Sequence, residues 1–238
     1  MKLKNIKLCD IGLTEYGYAW ELQKALHQDR VAGNISDTIL FTEHFNTYTI
    51  GKSGGEDHLL AGEVELFHKG VSVYRIDRGG DITYHGPGQL VCYPILDLNN
   101  FYLDVHRYLR DLEEVVIRCL SHYGIKGHRE PEFTGVWVDD EKICAIGVKV
   151  SRWVTMHGFA FNVNTDLSHF GRIIPCGIFH KGVTSLSELK GSPRDMDSVK
   201  KLVAENIAEV FCAGVELVPP SELLGKYDKV MEKAHAST

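Results

Sequence analysis

The sequence predicts a mixed α/β fold: one sheet of parallel and antiparallel strands with helices flanking it. Strand-like runs outnumber helical ones, and short hairpins alternate with helical crossovers, the pattern of an α+β or mixed-sheet domain. The stretch 78–94 carries four glycines and two prolines between two strand-like runs, which excludes a helix interior there. The 238 residues, 44% hydrophobic and 24% charged, have ordinary globular composition and can bury a sizeable core.

The elements follow in order. Lys2 to Asp10 alternates weakly and is expected to be a first strand. Thr14 is the expected N-cap of a helix to about His27, with Tyr18, Leu22, Ala25 and Leu26 on one face. Asp37 to Thr42 and Thr47 to Gly51 read as strands, as do Val71 to Ile76 and Leu90 to Leu96. Asn100 or Asp104 caps the longest helix, which ends near Tyr123 with Gly124 as its C′ residue. Val105, Leu109, Leu112, Val116 and Leu120 form its core-facing stripe. Gly135 to Val138 and Lys142 to Val150 read as a hairpin, followed by a strand over His157 to Asn162. Ile173 to Ile178 is an apolar bend with Cys176 at its corner. Met196 to Cys212 is a helix capped by Asp197, Val215 to Val218 a strand, and Ser221 to Ala234 a terminal helix. The chain reads as one domain over 1–238. A composition change near 190 marks either a small C-terminal helical lobe or a surface loop.

Composition also excludes functions. A formal net charge of −6 disfavours nucleic-acid binding. The sequence has no apolar run long enough for a membrane span, and its N-terminus lacks the apolar core of a signal peptide. A cytoplasmic location is therefore expected. The six cysteines (9, 92, 119, 144, 176 and 212) form no Cys-x-x-Cys pair, so neither a structural zinc site nor a disulfide framework is expected. Gly51-Lys52-Ser53 lacks the glycine that a phosphate loop places five residues earlier, where Asn46 stands.

The chemistry-bearing residues concentrate in the glycine-rich stretch: Arg78, Thr83, Tyr84, His85 and Gln89. Glycines there let a backbone approach a ligand closely. Cys176 follows a proline and precedes a glycine; on residue type alone it is either a core cysteine or a nucleophile. A thiol is mostly protonated at neutral pH, so a nucleophile needs a nearby cation. Lys142, Lys149, Lys181 and His180 all qualify.

A resemblance separates these readings. Arg78-Gly79-Gly80-x-x-Thr83-Tyr84-His85-Gly86-Pro87-Gly88-Gln89, with Tyr93-Pro94 after it, resembles the signature of lipoyl(octanoyl) transferases, in the biotin/lipoate protein ligase fold family. Glu43-His44, Lys142 to Val150, His157 to Asn162, Pro175 to Ile178 and Val183 to Leu186 match further family segments in order. Phe45 and Asn46 stand where family members often carry prolines.

The resemblance implies an acyltransferase that needs no metal or other cofactor. Cys176 would attack the thioester of octanoyl-acyl carrier protein, and a lipoyl-domain lysine would then take the octanoyl group as an amide. Lys142 would favour the thiolate and shuttle protons. Acceptors would be lipoyl domains of 2-oxo acid dehydrogenase complexes and the glycine cleavage H protein, and the enzyme would act as a monomer. The acyl site would be walled by Arg78, Gly79, Gly80, Asp81, Ile82, Thr83, Tyr84 and His85, by Ala145, Ile146 and Gly147, and by Gly158, Phe159 and Ala160. Oxyanion donors would be backbone N–H groups near Gly79, Gly80 or Cys176, or His85. Rival readings are an ATP-dependent lipoate or biotin ligase, a cysteine-dependent lipoyl amidotransferase, an acyl-binding module, and a metal enzyme using His44, His85 or His157.

Overall fold

A computed structural model describes residues 4–55, 58–174 and 182–227. Eight strands form one mixed sheet. β1 (Asn5–Thr14) lies parallel to β2 (Thr38–His44), and the helix α1 (Tyr16–Val31) makes the crossover. β6 (Gln89–Ile95) runs antiparallel to β2 and to β9 (Val154–Asn162). β8 (Glu141–Ser151) pairs antiparallel with β9 and with β7 (Gly135–Val138). The two-residue β10 (Gly182–Val183) lies parallel to the start of β8, and β11 (Gly214–Leu217) closes the other edge beside β1. The strand order is β10-β8-β9-β6-β2-β1-β11.

Both faces of the sheet are covered. On one, α3 (Val105–His122) and α5 (Met196–Val210) bury Leu112, Val116, Leu120, Val199, Val203 and Ile207 against Ile39, Phe41, Phe159 and Phe161. On the other, α1 and the short α6 (Pro220–Leu224) place Leu22, Leu26 and Leu223 over Leu40, Val91 and Ile95. Fully burying an aliphatic side chain contributes about 1.5–3 kcal/mol. Residues beyond 190 thus add α5 to the α3 layer and β11 to the main sheet.

Capping follows the expected chemistry at different residues. Asp104 caps α3, accepting from the Arg107 N–H at 2.9 Å. Asp195, not Asp197, caps α5, because its carboxylate reaches the Ser198 N–H at 2.9 Å. Thr14 does not cap α1. The β1–β2 ladder slips between Asp10 and Leu13 and then resumes, so Thr14 still pairs with His44 and Glu15 takes the cap position without a side-chain bond. Part of the expected terminal helix, from 228 onward, lies outside the described residues.

A second sheet holds the glycine-rich stretch. β3 (Thr47–Ile50) pairs parallel with β4 (Ser72–Arg75) and antiparallel with β5 (Ile82–His85). α2 (Glu63–His68) lies between β3 and β4 in the chain, and α4 (Leu186–Lys190) follows β10. The sequence reading puts strands at 71–76 and 90–96, on either side of β5, and none at 82–85. The four residues of β5 contain no glycine, and Ile82 and Tyr84 bury against Tyr48, Ile50 and Leu66, so tertiary packing makes a strand inside a breaker-rich stretch. Among the described residues no helix is long and apolar enough to cross a membrane.

Candidate active site

A cavity of about 720 Å³ lies between the two sheets. Arg78, Gly79, Gly80, Asp81, Ile82, Thr83, His85, Lys142, Ala145, Ile146, Gly147, Gly158, Phe159 and Ala160 all line it. Tyr84, expected with them, is placed elsewhere. Strand alternation sends its ring into the second sheet's core, where it stacks on His169 (centroids 4.5 Å apart) and its hydroxyl donates to Asn46 Oδ1 at 2.7 Å. The sequence reading missed Tyr16, Tyr93, Asn162 and Trp137 as lining residues, together with Val105 and Leu109. The last two belong to the expected α3 stripe, but they line the cavity while Tyr108 fills the core.

Close backbone approach fixes one wall. Gly79 N–H donates to Val148 O at 3.0 Å, joining the glycine-rich loop to the edge of β8. Lys52 and Ser53 N–H groups donate to the carbonyls of Arg78 and Gly80, both at 3.1 Å. A Cβ on Gly147 would stand 2.8 Å from Gly79 O, and one on Gly158 would stand 2.1 Å from Cys92 O. Arg78 is almost buried; its guanidinium donates to Thr49 O (2.9 Å), Thr49 Oγ1 (3.0 Å) and Gly79 O (3.0 Å).

The polar side of the cavity is an ordered row of hydrogen bonds. Asn162 Nδ2 donates to Thr184 O (3.0 Å), which leaves Asn162 Oδ1 to accept from Gln89 Nε2 (2.9 Å). Gln89 Nε2 also donates to Tyr84 O, so Gln89 Oε1 accepts from His85 Nδ1 at 2.8 Å. Burial, reinforced by His44 beside it, holds His85 well below its ordinary pKa. The ring is therefore neutral, with its proton on Nδ1, and Nε2 accepts from Thr49 Oγ1 at 3.3 Å. Nε2 is an acceptor, so the His85 side chain does not offer an N–H to an oxyanion here. His44 follows the same logic: Nδ1 donates to Thr14 O (3.1 Å), Nε2 accepts from Tyr93 (2.6 Å), and burial pushes it down to about 4.

A charged pair stands behind the cavity-lining His157. Asp77 accepts from His157 Nε2 (2.9 Å) and pairs with Lys149 Nζ (2.5 Å). The hydrogen bond from His157 is the largest cause holding Asp77 well below the usual carboxylate range. Burial lowers His157, so it donates as a neutral ring. His157 has φ of 59°, an uncommon conformation for a side-chain-bearing residue, one position before Gly158 in β9.

Lys142 lines the cavity with Nζ 4.8 Å from the centroid of the Trp137 ring. Cys176 lies outside the described residues. Its described flanks both reach the cavity: Ile174 N–H donates to the carbonyl of cavity-lining His58 (2.9 Å), and Val183 pairs with Lys142. The other cysteines are poor nucleophiles or distant. Burial pushes the Cys9 thiol up to about 11 and Cys119 up to about 12, and holds Cys92 and Cys144 well above the ordinary thiol value. Cys212 is exposed past the end of α5. Among the described residues no group of three or more His, Cys, Asp or Glu is arranged to hold a metal.

This architecture is that of the lipoate and biotin protein ligases. The structure is similar to a crystal structure of lipoate-protein ligase A bound with ATP (TM-score 0.80, 14% identity, 96% of this chain and 93% of that one). It is less similar to a biotin protein ligase from Aquifex aeolicus (TM-score 0.52, 17% identity, 88% and 71% covered). At these identities the likeness concerns the fold.

Residues 15–208 match the lipoyl protein ligase A/B catalytic domain, and the chain belongs to that family. Among its relatives, an octanoyltransferase of Flavobacterium johnsoniae is 49% identical over 229 residues, covering 89% of this chain and 99% of that protein. An octanoyltransferase of Rubrobacter xylanophilus is 53% identical over 202 residues, covering 84% and 90%.

Proposed function

We propose that this chain is an acyltransferase that moves an octanoyl group from an acyl carrier protein to a lysine of a lipoyl domain. Its likeness to octanoyltransferases along nearly their whole length supports the reaction class. The observation that carries the mechanism is the place of Lys142: it faces the cavity from the start of β8, against the point where the described chain resumes after Cys176.

The reaction has two displacements. The Cys176 thiolate, favoured by the Lys142 ammonium, adds to the donor thioester carbonyl. The intermediate collapses, expelling the carrier thiolate, which takes a proton from Lys142 and leaves an octanoyl-Cys176 thioester. The neutral ε-amine of the acceptor lysine then adds to that carbonyl. The Cys176 thiolate departs, the new nitrogen gives its proton to Lys142, and an amide remains. Thioester-to-thioester exchange is nearly balanced and amide formation runs downhill, so no ATP is required. Arg78, which clamps the glycine-rich loop, keeps the cavity wall in register. Ala145 and Ala160 give the acyl tail a path of small side chains, where burying six methylenes at ~0.8 kcal/mol each contributes roughly 5 kcal/mol, while Gly147 and Gly158 let neighbouring backbone close the wall. A cytoplasmic setting, where thiols stay reduced, suits a cysteine nucleophile.

Intact-mass spectrometry after incubation with octanoyl-acyl carrier protein, without ATP, tests the reading. Wild type is expected to gain one octanoyl group and to pass it to an apo lipoyl domain. Cys176→Ser should gain none, and Lys142→Ala should gain it far more slowly. Modification of the domain only with free octanoate and ATP would instead establish a ligase.

A further inference from the structure

The place of Lys142 has three structural causes. Ala145 and Gly147 share one face of β8, and strict alternation would turn Lys142 to the other, where Cys144 packs in the core beside Ile146. The β7–β8 ladder slips by one residue: Val136 pairs with Cys144 but Trp137 pairs with Lys142, leaving Ile143 as an extra residue on β8. Ile143 and Cys144 both bury in the core under α3, and Lys142 is returned to the face of Ala145 and Gly147, where it lines the cavity. A strand bulge re-aims a side chain in this way. Gly135 supplies the second cause. Its φ is 138°, and a Cβ there would stand 2.6 Å from Cys144 O and 3.5 Å from Lys142 Cε. The lysine stem thus passes over a position where only glycine fits. The third is Trp137, which is 1% exposed, with its indole N–H donating to Phe133 O at 3.4 Å and its face toward Lys142 Nζ.

We infer that Trp137 is a positioning residue that holds the Lys142 side chain in its ammonium form at the cavity through a cation–π contact. The separation of 4.8 Å is within the range of about 6 Å over which the negative ring face attracts a cation, and the ring itself is buried. Other charges around the lysine, among the described residues, include Glu113 from α3, which accepts from Gly135 N–H and pairs with Arg110 and Arg129, Glu132 on the cavity wall and Glu141 beside it on β8. The inference rests on the proposed reaction only for its consequence: an ammonium kept in place sustains the thiolate.

The test is competitive acylation of lysines with acetic anhydride across a pH series, read by peptide mass spectrometry in wild type, Trp137→Phe and Trp137→Leu. The Lys142 labelling midpoint is expected to fall by about half a unit to one unit in Trp137→Leu, with Trp137→Phe between, because the attraction weakens from Trp to Phe and is lost with Leu. Lys149, paired with Asp77, serves as an internal reference for the labelling reaction. The turnover of Trp137→Leu should drop about three- to tenfold with KM for the donor within twofold. Equal Lys142 midpoints in folded wild type and Trp137→Phe, and in Trp137→Leu where circular dichroism shows it folded, overturn the inference. If Trp137→Leu does not fold, the wild type–Trp137→Phe pair alone decides. Absence of an octanoyl adduct on Cys176 would refute the transferase reading while leaving the labelling result intact.

Discussion

Gly147→Ala is the substitution whose cost can be worked most directly from the geometry. The added Cβ meets Gly79 O at 2.8 Å, Arg78 Cδ at 2.9 Å and Arg78 Nη1 at 3.4 Å. The first contact is with backbone, which cannot swing aside as a side-chain tip can. Relief requires the glycine-rich loop to move off β8, and that motion strains the Gly79 N–H to Val148 O bond and the three bonds of the Arg78 guanidinium. Overpacking of this kind costs about 1–3 kcal/mol, roughly a 5- to 150-fold change in the unfolding equilibrium. Urea denaturation measures it, with Gly62→Ala as the control, since a Cβ at Gly62 meets nothing within 4 Å. The same loop walls the proposed acyl site, so KM for the octanoyl donor should rise several-fold in Gly147→Ala alone. A Gly147→Ala protein within about 0.5 kcal/mol of wild type, with unchanged KM, would refute the claim that the loop and β8 are in rigid contact.

The polar row gives a second prediction. Gln89→Ala leaves the His85 N–H, Asn162 Oδ1 and one bond to Tyr84 O without their partner in a buried site, and should cost about 2–4 kcal/mol in urea denaturation; a loss below about 1 kcal/mol would show that the row is not cooperative. The buried histidines give a third. His44 titrates near 4 when folded and near 6.5 when unfolded, so the unfolded state binds more protons between these values and stability falls as pH drops through that window. From about pH 7 to about pH 5 this one ring contributes a loss of about 2 kcal/mol, which His44→Gln should remove. Equal pH dependence in wild type and His44→Gln urea titrations would contradict the assignment.

The sheet and its helices are readable because their signals are local. Asp104 before an apolar-periodic run, and the apolar runs of β6, β8 and β9 bounded by turn residues, need no knowledge of distant contacts. The misreadings have tertiary causes. β5 is short, lies between glycines, and becomes a strand only because β3 offers its edge. Thr14 has capping chemistry but is claimed by the β1–β2 ladder after a register slip that composition does not reveal. In the site, motif spelling picks out thirteen of the fourteen expected wall residues as cavity-lining, Tyr84 being the exception that alternation turns away. Asn162, although it sits within a quoted motif, does not stand out as a site residue because its role depends on Gln89, 73 positions away. Tyr16 and Tyr93 belong to elements that carry an ordinary apolar pattern, so nothing local marks them as bordering a cavity.

The row from Thr184 through Asn162 and Gln89 to His85 has a sense of direction. Each amide passes its donor end one way and its acceptor end the other, and two backbone carbonyls, Thr184 at the end of the row and Tyr84 beside Gln89, fix that sense. Reversing it would require two side-chain amides to rotate and a proton to change ring nitrogen in concert, while both carbonyls lost their donors. The cavity therefore presents a frozen polarisation rather than a responsive one. Dipoles set in this way pay no reorientation cost when the charge inside the enclosure changes, whereas water must turn to meet it.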